Sequence, residues 1–209
     1  MYRLEEPTRP GEVRPGGRTA RVRSAVLTAV VDELLDHGYA SFAMDRVSAR
    51  AGVGRTTLYR RWGSPSALVR DLLQSIAEQT MPIPDTGSVE EDLRIITQAL
   101  LEAHLDQRLQ ATIQGIIAAA GCAPEIDEAL RTFFQSRATE AAVVITRAVE
   151  RGELPPGTDG VDIFRMLAAP LCFRLLVSRE PVDQAVADRT AAVILHAART
   201  GLFTTPDAQ

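Results

Sequence analysis

Residues 44–62, MDRVSARAGVGRTTLYRRW, put two short runs of helical periodicity on either side of Gly52-Val53-Gly54. That arrangement leaves the chain little choice of local structure. The glycines interrupt a helix and permit a left-handed turn, so one helix is predicted from Met44 to Ala51 and another from Arg55 to Trp62. Two short helices on a tight turn have the form of a helix-turn-helix. Ser48 is small enough for the second helix to approach closely, and Val47, Val53, Leu58 and Trp62 can close a shared core. With Leu58 and Trp62 turned inward at four-residue spacing, Arg55, Thr56, Tyr59 and Arg60 fall on the opposite, exposed face.

The same periodicity runs through the rest of the 209 residues and makes the chain all-α. A first helix is predicted from Thr19, through Val22, Val26, Val30 and Leu34, to a stop at Gly38. Ser64-Pro65 reads as an N-cap followed by proline in the first helical position, opening a fourth helix that ends near Met81-Pro82-Ile83-Pro84. Ser88-Val89-Glu90-Glu91 has the form of a capping box and starts a helix running to Leu105. Further helices are predicted over Leu109–Ala120, Pro124–Arg151, Val161–Ser178 with a kink at Pro170, and Val182–Gly201. Three domains follow. Residues 1–17, rich in proline and glycine, form a flexible arm; 18–80 form the helix-turn-helix domain; 81–209 form a second helical domain beyond the proline-rich boundary.

Every basic residue other than histidine is arginine, and the charge is unevenly spread. Residues 18–63 carry eight arginines against four acids, while residues 64–209 carry twelve against twenty, within a net charge of −4. A basic end on an acidic body suits a protein that presents one end to phosphate. The exposed face of the third predicted helix carries suitable chemistry: arginine can grip guanine edges bidentately, threonine can meet a base edge, and tyrosine or arginine can hold phosphates. Arg18, Arg21, Arg23 and Arg46 can add contacts to the backbone of double-stranded DNA.

Catalytic and metal chemistry find no such support. His37, His104 and His196 are isolated, the two cysteines Cys122 and Cys172 lack metal-ligand or disulfide spacing, and no nucleophile elbow or phosphate loop occurs. No catalytic residue, metal site or cofactor is expected, and the chain is not read as an enzyme. No apolar run reaches membrane-spanning length, and the start of the chain does not read as a secretion signal, so a cytoplasmic protein is expected.

Residues 19–80 resemble the DNA-binding domain of the tetracycline-repressor (TetR) family. The resemblance is carried by Ala51-Gly52-Val53-Gly54, Thr57-Leu58-Tyr59-Arg60-Arg61-Trp62, Ser64 and Ala67-Leu68-Val69. It implies a fourth helix linking to an effector domain, and binding to palindromic operators as a dimer. Candidate DNA-binding residues are Arg55, Thr56, Thr57, Tyr59 and Arg60, with Arg46, Ser64 and Arg18 beside them. Ala43, Gly54 and Pro65 depart from the family's usual caps and phosphate-contacting lysine.

A weaker resemblance covers Arg151-Gly152-Glu153-Leu154 and the stretch from Pro170-Leu171 through Arg179-Glu180-Pro181-Val182. It implies a homodimer through helices about 161–178 and 182–201. The stripes Ile163, Leu167, Leu171, Leu175 and Val186, Thr190, Val193, Ile194, Ala197 suit either that interface or packing within one chain. The resemblance also implies a small effector between the middle helices whose binding releases DNA. Leu101, His104, Leu105, Ile113, Ile117, Phe133, Phe134 and Arg137 are candidates to line a site for a hydrophobic effector, or are plain core. The competing reading is a helical ligand-binding or scaffold dimer without DNA-binding activity.

Overall fold

The computed structural model describes residues 17–80 and 82–204, without the side chain of Arg18. The predicted arm therefore lies outside the described residues as far as residue 16. Among the described residues the helices are α1 Gly17–His37, α2 Met44–Ala51, α3 Arg55–Arg61, α4 Pro65–Thr80, α5 Val89–Leu105, α6 Gln107–Ala120, α7 Pro124–Glu150, α8 Gly160–Phe173 and α9 Gln184–Arg199, with a π-helical turn at Arg174–Ser178 between the last two. No strand occurs among them; a lone antiparallel bridge joins Thr158 and Thr204.

The chain forms two compact units, whose described parts are residues 17–76 with 108–131, and 77–80, 82–107 and 132–204. In the first unit, Val26, Leu27, Val30, Val31 and Leu34 of α1 are buried, as are Met44, Val47 and Leu58 of the helix pair and Leu68, Val69, Leu72 and Leu73 of α4. Gly38 ends α1 as the spacing predicts: it takes φ +68° and donates to the Leu34 carbonyl at 3.0 Å. The segment 108–131 belongs to this unit, buries Leu109, Ile116 and Ile126, and makes polar ties to α1 and the turn after it. Arg108 pairs with Asp32 of α1, and the Tyr39 hydroxyl donates to Glu125 at 3.1 Å. Burial, with the Glu125 carboxylate beside it, pushes the Tyr39 hydroxyl up to about 12.

In the second unit, Val89, Leu93 and Ile96 of α5, the small and aliphatic residues Ala138, Ala141, Val144, Ile145 and Ala148 of α7, Ile163, Phe164 and Leu167 of α8, and Ile194, Leu195 and Ala198 of α9 form one core. Close approach is built in at Gly160, where a Cβ would lie 2.9 Å from Ala142 Cα. The Arg151-Gly152-Glu153 corner positions a neighbouring helix. Glu153 accepts from the Val89 amide at 2.8 Å, tying the end of α7 to the start of α5. Ser88 caps α5 by accepting from the Glu91 amide at 3.5 Å, but the reciprocal arm of the predicted box is absent. The Glu91 carboxylate is taken by Arg94, and the Ser88 amide goes to Thr86.

Two expectations for the last helices need correction. The predicted helix over 161–178 ends at Phe173 and continues as the π turn; Pro170, which has no amide to donate, lies just upstream. The last helix begins only at Gln184, because the Asp183 side chain caps it by accepting from Val186. Most of each stripe is used internally, with Leu175 and Ala197 half-buried and Val193 exposed. Ile163, Leu167, Leu171, Val186, Thr190 and Ile194 are buried within the unit, which is the chain-internal alternative. Apolar side chains left outside are Met166, Phe173 and Val177 around α8, and Val193 on α9.

Candidate nucleic-acid interface

The turn between α2 and α3 is held by its own backbone and one hydroxyl. Gly52 adopts φ +64° and donates to Ala49, and Val53 donates to the Ser48 carbonyl at 3.1 Å. The buried Ser48 hydroxyl then donates to the Val53 carbonyl at 2.6 Å. Ser48 is thus more than small: it closes the turn with a second bond, satisfying a carbonyl that the turn would otherwise strand.

With the turn set, Leu58 is fully buried and its neighbours face outward. Arg55, Thr56, Tyr59 and Arg60 are exposed, and Thr57 is half-buried. The Tyr59 and Arg60 side chains make no hydrogen bond or ion pair among the described residues. Arg55 is engaged, pairing through Nη2 with Asp45 Oδ2 on the first turn of α2. Arg61 lies 4.6 Å from the centre of the Trp62 ring and donates to the Thr19 carbonyl at 3.4 Å.

The helix pair is anchored by two carboxylates that sequence reasoning did not single out. Asp71 of α4 accepts from Trp62 Nε1 at 2.8 Å and from Arg23 Nε at 2.9 Å, joining α1, α3 and α4. Glu33 of α1 is fully buried. It accepts from the Ala43 amide at 3.0 Å and from Arg46 Nε at 2.8 Å. Burial alone would push the Glu33 carboxyl up, but the bond from Arg46, the Ala43 amide and the nearby charges of Arg46 and His37 outweigh it and hold the carboxyl below its ordinary value. Glu33 therefore ties α1 to the start of α2 by satisfying the Ala43 amide and holding the Arg46 guanidinium.

Several candidates are consequently placed differently from the expectation. Arg46 is held by Glu33 and by the Ser41 carbonyl, and Arg23 is drawn to Asp71, so both serve the fold in this state. The Ser64 hydroxyl caps α4, accepting from the Ala67 amide at 3.2 Å. Arg18 belongs to α1, but its side chain lies outside the described residues. Sequence spacing does not pair these groups: Glu33 is an acid buried on α1, 13 residues before Arg46, and Asp71 lies 48 residues beyond Arg23.

The effector candidates are divided between the units. Ile113 and Ile117, both half-buried, belong to the first, while the other six belong to the second. Leu101 packs with Leu171 and Ala187. His104 Nδ1 bonds the Leu100 carbonyl at 2.6 Å, and its Nε2 lies 3.8 Å from Cys172 Sγ. Burial lowers the His104 pKa despite the Leu100 bond, favouring a neutral imidazole that donates from Nδ1. Phe133 and Phe134 meet edge to face at 5.2 Å, with Phe134 exposed; Leu105 is also exposed. Arg137 is buried and pairs with Glu140 at 2.6 Å. No group of three or more metal-ligating side chains occurs among the described residues, and no helix among them is long and apolar enough to cross a membrane.

Comparison with known proteins places this geometry. Residues 26–72 match the model of the bacterial regulatory proteins of the tetR family, and residues 83–194 match the tetracyclin repressor-like C-terminal domain. The HTH-type transcriptional regulator YdeS of Bacillus subtilis is 31% identical over 79% of this chain and 84% of its own. The DNA-binding transcriptional repressor TetR of Mycobacteroides abscessus is 32% identical over 83% of this chain and 92% of its own. The crystal structure of the TetR family transcription regulator SCO0332 superposes with a TM-score of 0.68 at 31% identity, covering 84% of this chain and 97% of that one. A helix-turn-helix with an exposed basic face, followed by a matching C-terminal domain, leaves one assignment: the chain belongs to the TetR family of helix-turn-helix transcriptional regulators.

Proposed function

We propose that this regulator is a ligand-responsive repressor, acting in the cytoplasm, that binds a palindromic operator as a homodimer and is released by a small hydrophobic effector. The observation that carries the proposal is the outer face of α3: Arg55, Thr56, Tyr59 and Arg60 stand opposite the buried Leu58. Such a face fits the major groove, where arginine and threonine meet base edges and tyrosine and arginine hold phosphates. A two-fold dimer would set two copies of it on successive grooves, which is why the operator should be a palindrome. The repressor role of the M. abscessus relative supports the direction of regulation.

For the dimer, α8 and α9 are the proposed contact, now through Met166, Phe173, Val177 and Val193. For the effector, Leu101, His104, Phe133 and Arg137 supply apolar surface and buried polar groups suited to orienting a ligand. An effector that binds the DNA-incompetent state more tightly would empty the operator.

The test is selection of bound sequences from a randomised duplex pool by the full chain and its Tyr59→Ala and Arg60→Ala variants. Enrichment of a palindrome by the parent and its loss in the variants supports the proposal. A folded dimer that enriches nothing, even at low salt, overturns it in favour of a ligand-binding or scaffold dimer.

A further inference from the structure

We infer that Asp45 is a positioning residue for base readout by Arg55, and that it sets how sharply the reading face separates its target from other DNA. The inference rests on α3 being the reading helix, as proposed above. Arg55 opens α3, and its Nη2 meets Asp45 Oδ2 on the first turn of α2. The pair stands at the surface, with side-chain exposures of 68% and 48%, so an incoming duplex can reach it.

Orientation is the first consequence. A free arginine carries large rotamer entropy, and a carboxylate on one terminal nitrogen restrains the guanidinium plane while leaving its remaining N–H donors for the O6 and N7 edge of guanine. Restraint before binding lowers the ordering cost of the bidentate contact.

Charge is the second consequence. Arg46, the next residue along, cannot neutralise Asp45, because Glu33 and the Ser41 carbonyl hold its guanidinium. On DNA without a guanine in reach, Arg55 must leave Asp45 to find a phosphate, which strands a carboxylate against the backbone. A guanine contact can be made with the pair intact. The carboxylate thus penalises the wrong sequence more than the right one. Arg60, without a side-chain partner among the described residues, has no such device.

The experiment uses the full chain, Asp45→Asn, Arg55→Ala and the double variant. Each is put through the same randomised duplex pool, then titrated with the most enriched duplex and with random-sequence duplex. Asp45→Asn is expected to bind random duplex about fivefold tighter, the scale of an exposed charge pair, and to lose a comparable factor of preference at one guanine position. In the Arg55→Ala background, Asp45→Asn should no longer change preference at that position. Unchanged preference at every position in Asp45→Asn overturns the inference. So does an equal change in the Arg55→Ala background, which would mean that Asp45 acts through charge or helix stability alone. A parent chain that enriches no sequence fails earlier, and overturns the reading of α3 together with this inference.

Discussion

Trp62 Nε1 donates to Asp71 Oδ2 at 2.8 Å, and the same carboxylate receives Arg23 from α1. One side chain of α4 thereby fixes the end of α3 against α1. Asp71→Asn keeps the shape but cannot satisfy both donors with a full charge. Unfolding is expected to become easier by about 1.5–3 kcal/mol, the range for a hydrogen bond to a charged group. Trp62 is the one tryptophan of the chain, so its fluorescence should report both the unfolding midpoint and a more solvated indole in the folded variant. An unchanged midpoint and emission maximum would remove Asp71 from this role.

Glu33 leads to a prediction about pH. Its folded carboxyl titrates below the ordinary value of 4.5, so the folded state binds the proton less readily than the unfolded chain. The stabilisation is fully present above about pH 4.5 and is lost as pH falls through the lower, folded value. Acidification below that point should weaken the helix-turn-helix unit in the parent, and Glu33→Gln should flatten this part of the stability curve. The substitution also leaves Arg46 and the Ala43 amide with a neutral partner, at a cost of about 2 kcal/mol at neutral pH. Urea denaturation at several pH values checks both effects, and parallel curves for parent and variant would contradict the assignment.

What the sequence could disclose was limited by what periodicity reports. The glycine turn was legible because Gly52 needs a backbone conformation that few residues adopt, and the outer face of α3 followed from the spacing of Leu58 and Trp62. Periodicity also found the apolar stripes of α8 and α9. It could not say what covers them, and Ile163, Leu167 and Ile194 are covered by their own chain. Arginine partners were the least legible. Arg46 looks like a phosphate contact by position, and only the folded path of α1 brings Glu33 to it.

That difference separates Arg46 from Arg60 experimentally. Arg60→Ala should weaken DNA binding, reduce the slope of log affinity against log salt by about 0.9 for each phosphate it no longer neutralises, and leave stability within about 0.5 kcal/mol of the parent. Arg46→Ala should behave in the opposite way, with a clear loss of stability because Glu33 stays buried without its cation. Salt titrations and thermal unfolding of both variants distinguish them. A full change in salt slope with unchanged stability for Arg46→Ala would return it to the phosphate-contacting set.

The proposed dimer can be tested by the same contrast between inner and outer faces of one helix. Leu167 is 1% exposed within the core of the second unit, whereas Phe173 is 57% exposed. Leu167→Ala removes buried methylene groups and should cost about 2–5 kcal/mol of stability, whatever the oligomeric state. Phe173→Glu adds a charge where solvent already reaches the ring, so the isolated chain should tolerate it. In a dimer that buries this face, the same carboxylate would be desolvated opposite its own two-fold copy, and association should weaken by a factor of roughly ten or more, the effect of losing an interface anchor. Sedimentation of the parent and the Phe173→Glu variant over a range of concentrations, with circular dichroism to verify helix content, is the measurement. A helical Phe173→Glu variant that dimerises as tightly as the parent would move the interface away from this face of α8. A helical monomer would establish that the apolar residues left outside the core, not the stripes closed within it, hold the two chains together.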